Sequence, residues 1–238
     1  MKGSWVIIKF LLILTLIVFL FGFTKNRNDK RSLAKIDIEF VDENDPFITL
    51  STVNKLLIQN YDNVTSIHKE TLVLNEMEGR LLKNPMIRDA QVFVTVDGVL
   101  GAKIEQRTPI ARVSSTPDFY LDKDGNKMPL STVHSARVPL ITGKPDERFN
   151  EITQLLLKMN EDEFMRKSVV GLHVKNNGDI ELRLRKHNFK VLFGKAKAVE
   201  KKFQNFKAFY QKTKQDSSLS GYSLVNLQFE SQVVATKR

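Results

Sequence analysis

The sequence has no cysteine among its 238 residues. Disulfide bonds, thiolate metal sites and cysteine nucleophiles are therefore excluded, although this absence does not reveal the compartment. The histidines are few as well: they are His68, His134, His173 and His187. No two of them stand four residues apart, and none lies beside a carboxylate at ligand spacing. We therefore predict no bound metal ion.

Sequence motifs of catalysis are also missing. There is no glycine-rich phosphate loop, no G-x-S-x-G turn and no conspicuous pair of carboxylates. The stretch LDKDGN at 121–126 resembles the start of a calcium loop, but Gly125 stands fourth from Asp122, where that loop has glycine sixth. Val133 occupies the twelfth position, which in that loop is glutamate. We predict a tight turn at 121–126. For the whole protein, we predict no enzymatic activity, no cofactor and no small-molecule substrate.

One long apolar run lies near the N-terminus. Residues 10–23 carry no charge, and extension back to Trp5 gives 19 residues interrupted only by Lys9. At about 1.5 Å per residue in a helix, this length matches the hydrocarbon core of a bilayer. A cleaved signal peptide is the alternative, but no small-x-small cleavage site follows Phe23. The run therefore favours an uncleaved anchor.

The segments around this run define the start of the chain. We predict a transmembrane anchor at 5–23, with a short tail at 1–4 before it and a polar linker at 24–32 after it. Basic residues are more numerous after the run than before it, so a simple count by the positive-inside rule places the larger part of the chain in the cytoplasm. The difference is small, and charge alone leaves the orientation open.

The net charge of +10 is concentrated in one segment. Residues 166–215 contain fourteen Lys or Arg against three acidic residues, a local balance of +11. Such a segment suits nucleic acid, anionic lipid or an acidic partner, and a solvated lysine-rich surface is the simpler alternative. No nucleic-acid motif accompanies it, and the membrane anchor argues against that role. We therefore predict no nucleic-acid partner.

Residues 33–107 are predicted to form a strand, two helices and two strands. Apolar residues alternate over 36–40 as in a half-buried strand. Two stretches with helical apolar spacing follow, and the second ends at Asn84-Pro85, because the residue before proline is pushed out of the helical region. Alternation then resumes in two further stretches, which predict the last two strands.

These last two strands are predicted to form a hairpin around Asp97-Gly98. A two-residue turn would place the apolar residues of the two strands on opposite faces. We therefore predict a loop with an odd number of residues, which pairs Val94 with Ala102 and Val92 with Ile104.

Residues 108–238 are predicted to form a strand-rich second domain with two helices. Turn signals such as Asn176-Asn177-Gly178 separate short extended stretches, and helical spacing predicts helices over 147–159 and 196–214. The stretch YSLVNLQFESQVVA at 222–235 predicts one long terminal strand. The predicted fold class is therefore α+β: a single transmembrane helix, a β-α-α-β-β module, and a mixed strand-rich domain.

Four stretches, in this order behind an apolar anchor, carry a family resemblance. They are LNEMEGRLLKNPMIRDAQVFV at 74–94, IEQRTPIARV at 104–113, FYLDKDGNKMPL at 119–130 and YSLVNLQFESQVVATKR at 222–238. Their order and spacing resemble the FtsQ/DivIB family of bacterial cell-division proteins, whose first domain is a POTRA domain. The likeness covers nearly the whole chain. It departs from the family at Met86, where tryptophan is frequent, and at Gln106, where glutamate is frequent.

The resemblance implies a non-enzymatic protein with a single span in the cytoplasmic membrane. It implies a cytoplasmic tail at 1–4 and two domains in the periplasm, which reverses the orientation given by the charge count. It also implies that the protein docks FtsB-like and FtsL-like partners at the division septum and couples division-site assembly to septal cell-wall synthesis. The short tail departs from the family, so cytoplasmic recruitment contacts do not follow from the resemblance.

The resemblance also implies a partner-binding site on the terminal strand. Gln228, Phe229 and Ser231 match positions that contact the FtsB-like segment in the family. A terminal strand exposes backbone donors and acceptors to which a partner segment can add as an extra strand. Phe229 shares a predicted face with Val225 and Leu227, so a core position is the alternative for that residue.

Two other functions fit parts of the pattern. A POTRA-bearing transport or assembly component would use the same module to receive a passing polypeptide, but such proteins usually carry repeated modules or a barrel, and this sequence shows no repeat. An anchored cell-wall enzyme could assemble a carboxylate site from distant residues. Turnover of cell-wall fragments that is abolished by one carboxylate substitution would distinguish an enzyme from a scaffold.

Overall fold

The computed structural model divides the chain into two compact units. Unit 1 is Met1–Gln106 and unit 2 is Arg107–Arg238. The residues that the structure describes are 2–29, 33–41, 46–58, 72–145, 148–229 and 232–238.

The N-terminal apolar run forms one helix, α1, Lys2–Asp29. Its segment Ile7–Lys25 has 19 residues, is long and apolar enough to cross a membrane, and is not buried against the described parts of the chain. A helix of a soluble protein usually buries one apolar face against a core. The exposure of side chains such as Phe10 and Phe21 therefore suits a membrane environment.

Unit 1 contains the predicted order of strand, helix, helix, strand and strand. Its elements after α1 are β1 Lys35–Phe40, α2 Leu50–Leu57, α3 Leu74–Leu82, β2 Ile87–Val94 and β3 Val99–Gln106. The three strands form one sheet in the order β1-β3-β2, in which β3 pairs parallel with β1 and antiparallel with β2. Buried side chains of α2, α3, β2 and β3 form the core, and half-buried side chains of β1 pack against it.

Local side-chain bonds fix the limits of the two helices in unit 1. Thr49 is the N-cap of α2, and its hydroxyl accepts the N–H of Thr52 at 3.1 Å. After α3, the Oδ1 of Asn84 accepts the N–H of Met86 at 3.0 Å. This bond holds a turn around Pro85, where the helix cannot continue.

In the hairpin of β2 and β3, each side chain lies on the predicted face of the sheet, but the register of the two strands differs from the prediction. Val94 lies opposite Leu100, so the predicted pairing of Val94 with Ala102 is wrong by two residues. The connection closes with the Gly98 N–H donated to the Thr95 carbonyl at 3.1 Å, and Gly98 has a φ of 89° that suits glycine. Because successive side chains alternate, a shift of two residues keeps each one on its predicted face.

A buried glutamine ends β3. Gln106 is 4% exposed, and its Oε1 accepts the N–H of Phe47 at 2.7 Å. This bond ties the segment before α2 to the end of the sheet. A carboxylate oxygen could accept the same bond, so glutamine can perform this structural role where the family often has glutamate.

Unit 2 contains a nine-stranded mixed sheet. Its elements are β4 Pro109–Val113, β5 Phe119–Asp122, β6 Lys127–Pro129, β7 Leu140–Gly143, α4 Phe149–Glu161, α5 Glu163–Ser168, β8 Val169–Val174, β9 Ile180–Leu184, β10 Lys190–Gly194, α6 Val199–Gln215, a short 3-10 helix Leu219–Gly221, β11 Tyr222–Asn226 and β12 Val234–Lys237. The strand order is β12-β11-β10-β9-β8-β7-β4-β5-β6. The pairs β4 with β7, β7 with β8, and β10 with β11 are parallel.

The helices of unit 2 share one apolar core with the sheet. The predicted α+β class is confirmed, with one addition to the two predicted helices of this unit. The short helix α5 follows α4 directly, and its N-cap Asp162 accepts the N–H of Met165 at 3.1 Å. With only six residues, α5 is too short to show a helical apolar spacing in the sequence.

The C-terminal stretch forms two strands where the sequence predicts one. β11 ends at Asn226, whose Oδ1 accepts the N–H of Gln228 at 2.9 Å, a local bond that competes with a regular strand. β12 then returns antiparallel to β11, with Val234 opposite Asn226. The prediction of one long strand is therefore wrong. Apolar alternation continues through both arms of this hairpin and does not reveal the turn between them.

Candidate partner-binding edge

β12 lies at one end of the nine-stranded sheet. It pairs antiparallel with β11, where Ala235 lies opposite Val225 and Thr236 lies opposite Leu224. Within the described ranges, no strand pairs with the other side of β12. We call this side the β12 edge. Its backbone N–H and C=O groups can pair with an added strand.

The strand beside β12 is held firmly in the core. β11 pairs parallel with β10, and just after it the Leu227 N–H donates to the Leu192 carbonyl at 2.8 Å. Val225 and Leu227 are buried in the core of unit 2. The Ser223 hydroxyl also donates to the Thr236 carbonyl at 3.2 Å. The β12 edge is thus preorganised, which lowers the ordering cost of binding.

Exposed apolar side chains lie on β12 and in the connection before it. Phe229 is 46% exposed and Val234 is 44% exposed. Val233 and Ala235, by contrast, pack half-buried against the core. An open strand edge with exposed apolar side chains on the strand and in the preceding connection suits a partner segment that is extended and carries apolar side chains of its own.

Two of the three predicted partner-binding residues are described by the structure. Gln228 and Phe229 lie in the connection between β11 and β12 and not on a strand. Ser231 lies outside the described residues. The exposure of Phe229 argues against the alternative of a core position for it. The contact of these three residues with a partner stays a prediction.

Gln228 lies across the end of β10. A Cβ atom built on Gly194 would stand 2.9 Å from the Gln228 Cγ, and Gly194 has a φ of +72°. Glycine therefore permits both the backbone conformation and this close approach. The Gln228 Nε2 reaches the Asp179 Oδ2 at 3.5 Å, and the Lys195 Nζ lies 3.5 Å from the Asp179 Oδ1. These contacts connect the β11–β12 connection to the hairpin of β8 and β9.

The residues of the β12 edge itself, Val234–Lys237, do not follow from the sequence analysis. Apolar alternation predicts one strand over 222–235, and this prediction places the exposed edge too early in the chain. A turn dipeptide with glycine or proline would have marked the reversal, but the stretch contains neither.

Titratable groups with shifted pKa values lie around α6. Burial raises the pKa of Asp162, but hydrogen bonds from Lys207 and from a backbone N–H outweigh it, so this pKa lies below its usual range. Burial and, to a smaller extent, the charge of Lys186 lower the pKa of His187, whose Nε2 lies 2.9 Å from the Tyr210 hydroxyl oxygen.

In the part of the chain that the structure describes, no cluster of three His, Cys, Asp or Glu could hold a metal ion.

Three features together define the class of the protein: the apolar helix, the β-α-α-β-β unit and the mixed sheet that ends in the β12 edge. This class is that of single-pass membrane proteins with a POTRA-like domain and a following β domain. The family model for the POTRA-like domain matches residues 34–105. The family model described as FtsQ/DivIB, C-terminal related, matches residues 108–236, more than half of the chain. The chain therefore belongs to the FtsQ/DivIB family. No curated protein matches it.

This membership confirms the family predicted from the four sequence stretches. It gives the chain a role in cell division. Members of the family are in general non-enzymatic scaffolds. Together with α1, the membership indicates a single-pass membrane protein.

Proposed function

We propose that this protein is a non-enzymatic scaffold of the division machinery that docks FtsB-like and FtsL-like partners. By docking them it couples division-site assembly to septal cell-wall synthesis. In this proposal residues 1–4 are cytoplasmic, the segment 5–23 of α1 crosses the cytoplasmic membrane, and the two domains at 33–107 and 108–238 lie in the periplasm at the septum. Membership of the FtsQ/DivIB family supports the proposal.

The β12 edge is the observation that carries this proposal. A partner strand that adds to the four residues of β12 gains backbone hydrogen bonds, each with a net contribution of about 0.5–1.5 kcal/mol. Main-chain pairing then supplies affinity, and contacts with Phe229 and Val234 select the side chains of the partner. Gln228 belongs to the proposed site as well, and Ser231, which lies outside the described residues, is included on the family resemblance alone.

A proline scan of the β12 edge tests main-chain pairing. Full-length variants with proline at Val234, Ala235, Thr236 or Lys237 are purified from membranes of a host that contains the FtsB-like and FtsL-like partners. Backbone N–H groups alternate between the two sides of an antiparallel strand. Prolines that remove an outward N–H are expected to lose the partner without loss of thermal stability. Prolines that remove an N–H bonded to β11 are expected to lower stability as well.

Val133→Pro is the control for this scan, because Val133 is an exposed valine of unit 2 outside the sheet. It is expected to retain the partners. Equal partner recovery by all four edge variants would contradict strand addition at β12. If the wild-type protein recovers no small single-span coiled-coil partner, the proposed function fails, and the transport and enzyme alternatives gain support.

A further inference from the structure

A cavity of about 460 Å³ opens in unit 2 beside the ends of the central strands β4, β7, β8 and β9. Its walls come from the start of β4, the segment before β7, the end of α4, part of α5, the start of β8 and the residue after β9. All the lining residues belong to unit 2, and β12 contributes none of them. Its volume falls within the range of about 300–1,000 Å³ that is usual for ligand pockets.

The floor of this cavity is apolar. Leu156 and Met159 of α4 and Met165 of α5 line it, and all three belong to the buried core of unit 2. Their packing holds the floor in place, while the unbranched thioether side chains of methionine adapt to apolar groups of different shape. A bulky apolar group therefore suits the floor better than a polar one.

Three arginines from three separate segments line the same cavity. They are Arg137 before β7, Arg166 in α5 and Arg185 after β9, and all three side chains are exposed. Arg166 donates to the Asn160 carbonyl and Arg185 donates to the Lys167 carbonyl, each at 3.3 Å. These backbone bonds orient two of the guanidinium groups and use only a fraction of the five N–H donors that each one has.

No carboxylate among the described residues lines this cavity. Glu163 is the acidic residue nearest to Arg166 in the sequence, and its carboxylate lies 2.5 Å from the Lys167 Nζ. Lys167 is the main cause of the lowered pKa of Glu163, and Arg166 contributes less. The positive charge around the opening is therefore not matched by negative charge on the cavity wall, and it favours an anionic ligand.

We propose that this cavity binds an acidic peptide segment of a partner protein. One bulky apolar side chain of the segment rests on the floor, and carboxylates on either side of it pair with Arg137, Arg166 and Arg185. Guanidinium groups bind carboxylates through two parallel hydrogen bonds. Three cations from three segments suit a peptide with several carboxylates better than the headgroup of phosphatidylglycerol, which offers one phosphate. The choice of a protein partner rests on the proposed scaffold function.

Selection from a random peptide library tests this cavity. Phage-displayed dodecapeptides are selected on the full-length protein in nanodiscs of neutral lipid, and then sorted by loss of binding to the double variant Arg166→Gln/Arg185→Gln. The expected peptides combine Asp or Glu with a large apolar residue. Synthetic copies are expected to bind the double variant about tenfold more weakly, and to bind the wild type more weakly at high salt because screening weakens exposed ion pairs.

Arg183→Gln is the matched control. Arg183 is an exposed arginine on β9, two residues from Arg185, and it does not line the cavity. This variant is expected to bind the selected peptides as the wild type does. A serine in place of the apolar residue of each peptide tests the floor and is expected to weaken binding by a similar factor. Thermal unfolding of each variant verifies that it folds.

The proposal is overturned if no selected peptide is sensitive to the double variant, or if the sensitive peptides lack carboxylates. A second outcome also overturns the proposal. If no peptide is selected, but phosphatidylglycerol vesicles or inorganic phosphate bind and their binding depends on the same arginines, the cavity is a phosphate site. The proline variants of β12 show whether the cavity and the β12 edge bind their ligands independently. Loss of FtsB-like partners with retained peptide binding is expected, and simultaneous loss of both in a folded variant would contradict two separate sites.

Discussion

The sheet of unit 2 ends in two edges that differ in chemistry. At one edge, β6 has only three residues, and its last residue, Pro129, has no N–H to donate. Beside it, the Lys127 Nζ lies 4.9 Å and 5.2 Å from the ring centroids of Phe119 and Phe149. Short length, proline and lysine are features by which proteins prevent an edge strand from pairing with another chain.

At the other edge, β12 contains no proline, and its lysine, Lys237, stands at the last position. It exposes Val234 and lies close in the sequence to the exposed Phe229. The same sheet therefore protects one edge and leaves the other accessible. Exposure of the end strand is therefore not a general property of this sheet, and this supports a binding role for the β12 edge.

The largest expected effect on stability comes from shortening a buried side chain beside each of the two edges. Val225 in β11 and Met128 in β6 are both fully buried. Val225→Ala and Met128→Ala are each expected to lower the free energy of unfolding by about 2–4 kcal/mol, as measured by urea denaturation. Only Val225→Ala is expected to reduce recovery of FtsB-like partners, because it loosens the packing beside β12. Equal partner recovery by the two variants would contradict a binding role for β12.

A charge placed on the edge itself is expected to have the next largest effect. Val234→Asp places a carboxylate beside the strand-addition surface and is expected to weaken partner binding about tenfold, or about 1.4 kcal/mol. Val133→Asp is the matched control, because Val133 is 49% exposed against 44% for Val234. Titration of a labelled partner peptide measures both variants. A similar loss in both would indicate a general effect of charge.

Opening the protected edge is expected to reduce the difference between the two edges. The double variant Lys127→Thr/Pro129→Thr restores a backbone N–H and removes the charge beside β6. Loss of the cation–π contacts is expected to lower the free energy of unfolding by about 0.5–1 kcal/mol. The variant is also expected to self-associate in analytical ultracentrifugation, through pairing of β6 edges. A variant as monomeric as the wild type would show that length alone protects this edge.

The smallest expected effect is a dependence of stability on pH in the half of the sheet that leads to β12. Burial first, and Lys186 second, lower the pKa of His187 below its ordinary value of 6.5. As the pH falls below about 6.5, the unfolded chain binds the proton more readily than the folded protein, so the free energy of unfolding decreases. His187→Gln is expected to flatten this decrease in urea denaturation between about pH 7 and pH 5. His173→Gln is the control, and equal slopes for both variants would contradict this role.

Most elements could be predicted from the sequence because each reflects one local period. Alternation over 36–40 predicts β1, and it is confirmed. The signal Asn176-Asn177-Gly178 predicts the hairpin of β8 and β9, in which Gly178 has a φ of 78°. The helices over 147–159 and 196–214 are confirmed as α4 and α6, with limits that differ by a few residues.

The features that could not be predicted depend on geometry that periodicity does not contain. The connection at 95–98 shifts the register by two residues without moving any side chain to the other face. The reversal after Asn226 uses a side-chain bond instead of a glycine or proline turn. The candidate site therefore differs from the predicted one, because the β12 edge can be recognised only from the pairing of the strands. The arginine cavity combines Arg137 and Arg185, which only the fold brings together.

The open edge of β12 also affects how much of the protein a cell can hold safely. In the absence of a partner strand, the backbone groups of β12 can pair with those of another copy, which is the first step of edge-to-edge aggregation. The exposed Phe229 and Val234 favour the same contact. A partner that covers this edge would therefore act as a chaperone as well as a ligand. The supply of partner would then set the highest concentration at which the scaffold stays dispersed.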